Sequence, residues 1–397
     1  MRTLYTDYEL RLTGGVARCF TSRKVRSQQA LTPLVARVLN AIPSIKNSAP
    51  LLKIYTRRLF CVNLLVRSGG GAHGPYSQAL SWYIWRGSVI EALVFEGGGV
   101  KGSAYAGVIE VLEANGVLAG VKRVAGASAG AITASLIATG GGSDGLHRSV
   151  TQTNFHDFIT DHGGVFSEVT RFVKEFGLHN GEAFVDILKA QLAENCGNAD
   201  ITFQELADLS KEEGSAAKEL YVVASNLSRL HAQVFSHYTS PDLEIWKAVR
   251  ASIGIPFIFE PMHIDGNLFI DGGLTWNFPI DIFDAQSDHY PPGQAAGQTL
   301  GFFLTQHKAY TQNKKWGEDR LNIDSLKAFC LGIGSFMYEM SNSKHIHPED
   351  NCRTVFIDDL GVNGADFSTQ GDKIEALIDS GRRSTVAHFR DALADKE

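Results

Sequence analysis

Cysteine is scarce in this chain. Five occur in 397 residues (Cys19, Cys61, Cys196, Cys330 and Cys352), scattered and with no Cys-x-x-Cys pair. An odd number without framework spacing argues against a disulfide scaffold and against a zinc site. Reduced thiols in a cytoplasmic protein fit better. Long hydrophobic runs are also missing: none approaches the ~20 residues that span a bilayer. Acids are nearly absent from the first ninety residues, which hold thirteen Lys/Arg, ten of them Arg, against Asp7 and Glu9 alone. The remaining residues hold 24 bases and 41 acids, so a net charge of −6 conceals two regions of opposite sign. Hydrophobic content of 44% and charged content of 20% are those of a globular protein large enough for a substantial core.

The basic region reads in three ways: a cationic arm for an anionic membrane or nucleic acid, an Arg-rich targeting segment, or a poorly ordered extension outside the folded domain. It shows Arg clusters, a glycine run from Gly69 to Gly71 and no clear amphipathic repeat. The expected organisation is a basic extension over 1–90 and a folded domain over 91–397.

From Glu91 the pattern changes. Ala92–Phe95 predicts a buried strand, and Ser103–Ala114 a helix with Ser103 as N-cap and Gly116 beyond its end. Val121–Ala125 predicts a second strand, and Ala129–Thr139 a small-residue helix stopped by Gly140–Gly142. Strand–helix–strand–helix within fifty residues implies a parallel sheet of the α/β class. Residues 144–215, including "RFVKEFGL", read as mostly helical. Glu219–Leu227 and His231–Ser236 read as strands, and Asp265-Gly266-Asn267 as a hairpin turn. Leu300–Thr305 and Arg353–Asp358 read as further strands, followed by a closing amphipathic helix.

The segment Gly97–Gly102, "GGGVKG", has three readings. It matches the dinucleotide fingerprint, but no carboxylate stands at the end of the second strand to hold a ribose. It is not a phosphate-binding P-loop, because Lys101 precedes Gly102 where that loop needs Gly-Lys-Ser/Thr. The third reading is an oxyanion hole, in which glycines let N–H groups converge and the helix behind adds positive potential. That reading needs a nucleophile, and "GASAG" (Gly126–Gly130) presents Ser128 between strand and helix, as a nucleophile elbow does. A serine needs a base. His289, His307, His345, His347 and His388 follow it in no distinctive turn, whereas "FIDGG" sets Asp271 at a strand end before Gly272 and Gly273. A carboxylate raised in pKa by burial can serve as that base.

These segments together resemble the patatin-like phospholipase family: "GGGVKG" its oxyanion loop, "GASAG" its elbow, "ASIGIPFIFEP" (Ala251–Pro261) its Ala-Ser-x-Gly-x-Pro block, and "DGGLTWNFPI" its Asp-Gly-Gly followed by Asn277 and Pro279. Four blocks in order cover Glu91–Ile280; residues 1–90 carry none. The resemblance implies a three-layer α/β/α fold with a central mostly parallel sheet, and a Ser128–Asp271 dyad. It implies an oxyanion hole drawn from Gly97, Gly98, Gly99, Lys101 and Gly102, with N–H groups of Gly98 and Gly99 as donors. Lys101 would stabilise that loop or meet a lipid phosphate. Gly126 and Gly130 would shape the elbow, and Gly272 and Gly273 the base loop. The implied activity is acyl-ester hydrolysis of phospholipids or lysophospholipids without metal or cofactor, with transient contact at a membrane surface and no nucleic-acid partner. The implied location is cytoplasmic, peripheral to a membrane, or that of a secreted effector. A Ser-His-Asp esterase and a lipid-binding protein retaining the fold are the alternatives.

Overall fold

The computed structural model describes residues 8–13, 16–21, 90–155, 176–284, 298–305 and 347–394, with 323–324, 329, 332–333, 336–338 and 340–341 between them. The chain divides into two compact units, 1–72 and 73–397. In the first, β1 (Tyr8–Thr13) and β2 (Val16–Thr21) form an antiparallel hairpin. Tyr8, Leu10 and Leu12 alternate with polar neighbours, a period of two that suits a strand and that the sequence reading left unassigned.

The second unit is built on one eight-stranded sheet. Its strands are β3 (Ile90–Phe95), β4 (Arg123–Ala127), β6 (Glu219–Asn226), β7 (His231–Phe235), β9 (Met262–Ile264), β10 (Asn267–Ile270), β11 (Gln298–Thr305) and β12 (Thr354–Asp358). They lie in the order β12-β11-β3-β4-β6-β10-β9, and β7 also pairs with β6. From β12 to β6 every pairing is parallel; β7, β9 and β10 run antiparallel to their partners. This is the expected α/β class with a central, mostly parallel sheet.

The helices are α1 (Ala104–Ala114), α2 (Ala129–Ala138), α3 (Ser143–Gln152), α4 (Glu182–Cys196), α5 (Phe203–Leu209), α6 (Ile245–Ser252), a single turn α7 (Gly273–Trp276), and α8 (Asp372–Ala394). Strands buried on both faces read as near-continuous apolar runs, and their alternation feeds two cores. Leu93, Phe95, Val124 and Val222 face the helical layer of α1, α2, α4, α6 and α8. Val94, Ala125, Tyr221 and Val223 face the other way, where among the described residues Trp276, Phe278, Ile282 and Phe283 cover them.

Three local expectations are corrected. The second strand is Arg123–Ala127, not Val121–Ala125, because pairing with Ala92 begins at Arg123 and Val121 closes a 3-10 turn over Leu118–Gly120. The shift carries the strand to the residue before Ser128. Ser103 stands at the N-cap of α1 without a capping bond, since a 3-10 turn over Gly99–Ser103 leads directly into the helix. In "RFVKEFGL", residues 171–175 lie outside the described residues, and Gly177–His179 is a strand, β5, paired in parallel with β8 (Phe257–Phe259). Tertiary pairing outweighs local helix propensity there. The expected hairpin turn forms: Asp265 and Gly266, both at positive φ, make the tight turn between β9 and β10.

Helices α1 and α8 cross at unusually short range through two glycines. A Cβ on Gly107 would lie 1.9 Å from the Ile378 carbonyl oxygen, and one on Gly381 would lie 2.0 Å from that of Ala104. Backbone cannot yield as a flexible side chain does. Gly107→Ala is therefore expected to push the helices apart and to lower stability by about 1–3 kcal/mol, read as a reduced urea midpoint at unchanged slope.

Candidate active site

The site exists because two strands share one edge of β6. Residues 222–226 of β6 pair with β7 on one side. On the other, β4 occupies residues 219–223, ending with Ala127 opposite Val223. Then β10 arrives from the opposite direction, with Phe269 opposite Asn226 and Ile270 opposite Ser225. Continued by one residue each, both strands reach the same place, opposite Ala224. Ser128 is the next residue of one and Asp271 the next residue of the other.

Ser128 sits at φ 51 and ψ −125, a strained conformation for a residue with a Cβ. The turn closes because its flanking residues lack side chains. A Cβ on Gly126 would stand 2.3 Å from the Gly130 carbonyl group, and one on Gly130 would stand 2.2 Å from the Phe95 carbonyl oxygen. Ser128 thus leaves the strand and starts α2 with its hydroxyl directed at the carboxylate. Its Oγ donates to Asp271 Oδ2 at 2.7 Å. Asp271 Oδ1 accepts from the Gly273 N–H at 2.8 Å. The Tyr338 hydroxyl hydrogen-bonds to Asp271 and also reaches the Ser128 hydroxyl. No histidine among the described residues shares in this network; His347 and His388 lie elsewhere, and His289, His307 and His345 lie outside the described residues.

Burial dominates the electrostatics. Asp271 is fully enclosed and Ser128 is 3% exposed. Desolvation pushes the Asp271 carboxyl up to about 6, against the opposing pull of hydrogen bonds from Tyr338, Ser128 and the Gly273 N–H. The same enclosure, with the Asp271 charge beside it, holds the Tyr338 phenol protonated, well above its ordinary range.

The glycine loop is fastened beside this pair. The Gly97 N–H donates to the Asn277 carbonyl at 3.1 Å, so Gly97, grouped with the oxyanion loop through the family resemblance, spends its N–H on fastening that loop. The Gly98 and Gly99 N–H groups have no partner among the described residues. Gly99 is at φ +56 with its Cα against the Gly364 carbonyl, and Val100 donates to that same oxygen at 3.0 Å. Lys101 Nζ pairs with Asp359 Oδ2 at 2.8 Å, tying the loop to the chain beyond β12. Gly102 offers no Cβ where it meets Ala129 of α2. Gly272 lies on the Val223 carbonyl and Gly273 on the Tyr338 ring, so both close approaches in the base loop have a function in packing.

Residues beyond the Ser128–Asp271 pair and the glycine loop hold these parts in place. The Ser252 hydroxyl accepts from the Ser128 N–H at 2.8 Å and donates to the Val223 carbonyl at 2.6 Å. The carbonyls of Ser252 and Gly254 accept from the N–H groups of Gly272 and Asp271. The Ser225 hydroxyl donates to the Asp271 carbonyl at 2.6 Å. Asn277 Nδ2 donates to buried Glu96 and to the Gly97 carbonyl, joining the base loop to the glycine loop. The Ala-Ser-x-Gly block was the available signal for Ser252; nothing in the sequence pointed to Ser225, Glu96 or Tyr338.

Residues 93–284 match the family model for patatin-like phospholipase. This segment is a patatin-like phospholipase domain. The patatin-like domain has curated relatives in distant sources. A probable lipid hydrolase, 463L, of invertebrate iridescent virus 6 is 29% identical over 243 residues, 60% of this chain and 76% of that protein. The uncharacterized protein YqhO of Bacillus subtilis is 28% identical over 310 residues, covering 74% of this chain and 95% of its own. Among solved structures, VipD from Legionella pneumophila superposes with a TM-score of 0.50 at 18% identity, over 76% of this chain and 67% of that one, a likeness of fold. The patatin-like domain has, among the described residues, no group of three His, Cys, Asp or Glu side chains placed to hold a metal ion and no helix long and apolar enough to cross a membrane.

A carboxyl raised from about 3.8 unfolded to about 6 folded opposes folding when ionised. Its cost is absent below pH 4, where both states are protonated, and complete above pH 6, where both are charged. At 1.36 kcal/mol per unit the full cost is about 3 kcal/mol. Asp271→Asn is expected to unfold at higher urea than wild type at pH 8, and to lose most of that advantage at pH 4, as followed by circular dichroism.

Proposed function

We propose that the protein is a serine acyl hydrolase of lipids, of the phospholipase A or lysophospholipase type, acting through a Ser128–Asp271 dyad on a domain spanning 91–397. The observation that carries this reading is the direct 2.7 Å hydrogen bond from the Ser128 hydroxyl to a carboxylate whose pKa is pushed up to about 6. Such a carboxylate is ionised at neutral pH yet basic enough to take a proton in a transition state.

In the first half-reaction Ser128 Oγ attacks the acyl carbonyl carbon while its proton passes to Asp271. Negative charge gathers on the former carbonyl oxygen, toward the N–H groups of Gly98 and Gly99 and the amino end of α2. As the tetrahedral intermediate collapses, the C–O bond to the leaving alcohol breaks and Asp271 returns the proton to that oxygen. In the second half-reaction Asp271 takes a proton from water, which attacks the acyl-serine ester; collapse returns the proton to Ser128 and releases the fatty acid. Lys101 serves the loop through its ion pair with Asp359. Tyr338 is a positioning residue that holds the resting carboxylate, and it yields when an ester approaches so enclosed a serine. Its segment supports contact with a lipid surface, because Phe329, Ile333, Phe336 and Met340 are exposed at helical spacing.

Fatty-acid release from mixed phospholipid vesicles, together with fluorophosphonate labelling, tests the dyad. Ser128→Ala should lose labelling and at least about a thousandfold in rate, and Asp271→Asn a comparable factor. Retained release in either variant would refute the dyad. For wild type, log(kcat/KM) should rise to a plateau through about pH 6, as Asp271 ionises. Removing the Tyr338 hydroxyl withdraws a bond that favours the ionised carboxylate. Tyr338→Phe should accordingly move this limb to higher pH, whereas a merely structural role would lower rate without moving it.

A further inference from the structure

The N–H groups left to receive an oxyanion, those of Gly98 and Gly99, belong to the residue type whose backbone is least restrained. Something else must fix their direction. In a trans peptide the carbonyl and the following N–H point opposite ways. Whatever grips the carbonyl of one residue therefore aims the N–H of the next. The Gly97 carbonyl shares a peptide with the Gly98 N–H, and it accepts from Asn277 Nδ2 at 3.2 Å. The Gly98 carbonyl shares a peptide with the Gly99 N–H, and it accepts from the Lys101 N–H at 3.3 Å.

The first grip is two-sided. The Asn277 carbonyl takes the Gly97 N–H while the Asn277 side chain donates to the Gly97 carbonyl. The same Nδ2 donates to Glu96 Oε1 at 3.0 Å, and the other oxygen of that carboxylate accepts from the Leu304 N–H of β11. A Cβ on Gly97 would stand 3.0 Å from that of Ser128, so the gripped residue lies against the nucleophile. The second grip is long for an N–H···O bond and holds a peptide plane weakly by itself. Asp359 reinforces it. Its Oδ2 holds Lys101 Nζ at 2.8 Å, its Oδ1 accepts from the Gly361 N–H at 2.9 Å, and its own N–H donates to the Thr305 carbonyl of β11 at 3.2 Å. Gly364 takes the Val100 N–H and packs on the Gly98 carbonyl, where a Cβ would stand 2.4 Å away. Strand β11 thus stands behind both grips. Asp359 is buried and lies beyond residues 93–284, the segment matched by the family model.

We propose that Asn277 and Asp359 are positioning residues for the hydrolysis. Asn277 aims the Gly98 N–H through the Gly97 carbonyl, and Asp359 aims the Gly99 N–H through Lys101. The proposal rests on the hydrolase reading above. It makes the chain beyond β12 a working part of the oxyanion hole, although that chain supplies no group that touches the substrate.

The test measures kcat and KM for p-nitrophenyl butyrate, and Ki for an alkyl trifluoromethyl ketone, in wild type, Asn277→Ala and Asp359→Ala. The ketone reports the hole directly: Ser128 Oγ adds to its carbonyl carbon, the serine proton passes to Asp271, and the ketone oxygen becomes the oxyanion. Loss of a whole oxyanion donor lowers kcat by about a hundredfold to a thousandfold. A misaimed donor should lower it by about tenfold to a hundredfold, with KM within about twofold and Ki raised by the same factor as kcat/KM falls. A merely structural role leaves fewer active molecules, which lowers kcat without changing Ki. That result, or an unchanged kcat, would overturn the proposal. Asn277→Ser and Lys101→Met remove the same bonds by a smaller change and replace either alanine variant that fails to fold. Should wild type neither cleave the ester nor bind the ketone, the hydrolase reading fails on its own, and the grips are judged by amide hydrogen exchange. The Gly97, Val100 and Lys101 amides should then exchange at least about tenfold faster in the variants, with α2 unchanged. Equal exchange in wild type and variants would overturn the grips independently of catalysis.

Discussion

Everything in the site depends on two strands meeting end to end along one edge of β6. Parallel pairing of β4 stops at Val223, antiparallel pairing of β10 stops at Ser225, and the gap opposite Ala224 receives Ser128 from one direction and Asp271 from the other. A strand pair fixes backbone position to a fraction of an ångström through its ladder of hydrogen bonds. The hydroxyl–carboxylate contact is therefore set by the sheet itself rather than by flexible loops reaching toward each other. A one-residue slip of either strand would turn its side chain to the opposite face and separate the pair.

The constraint has an energetic consequence. Closing a carboxylate into the gap removes it from water, and its hydrogen bonds to Ser128, Tyr338 and the Gly273 N–H only partly compensate. The fold bears that cost because the surrounding backbone is thoroughly tied. Asp271 and Gly272 donate to the carbonyls of Gly254 and Ser252, Ser225 holds the Asp271 carbonyl, and Ser252 holds the Ser128 N–H. The strained φ of Ser128 is maintained by the same connections. Enclosure and strain that weaken the folded state are what make the carboxylate basic and direct the hydroxyl toward it.

The separate sequence blocks acquire one physical explanation. Gly126 and Gly130 allow the turn to close; Ser252 and Gly254 anchor both ends of the gap; Asn277 spans from the base loop to Glu96 and the glycine loop; Asp359 and Gly364, remote in sequence, clamp that loop from the far edge of the sheet.

Local chemistry was legible in the residue order. Consecutive glycines before a helix, a serine between two glycines at a strand end, and an aspartate before two more glycines each state a local geometry that few other residues tolerate, and β-branched and aromatic runs mark the buried strands. For that reason the α/β class, Ser128, Asp271 and the loop that faces them could be named from sequence alone. Pairing register could not be read in this way, because it is chosen by contacts between segments over a hundred residues apart. The sheet moved the second strand to Arg123–Ala127, made Gly177–His179 a strand, and occupied the Gly97 N–H with the Asn277 carbonyl. Tyr338 follows Asp271 by 67 positions with no motif around it, and only folding brings its hydroxyl to the carboxylate. Side-chain identity and short-range spacing carry local conformation; burial, register and the partner of each polar group are properties of the assembled chain.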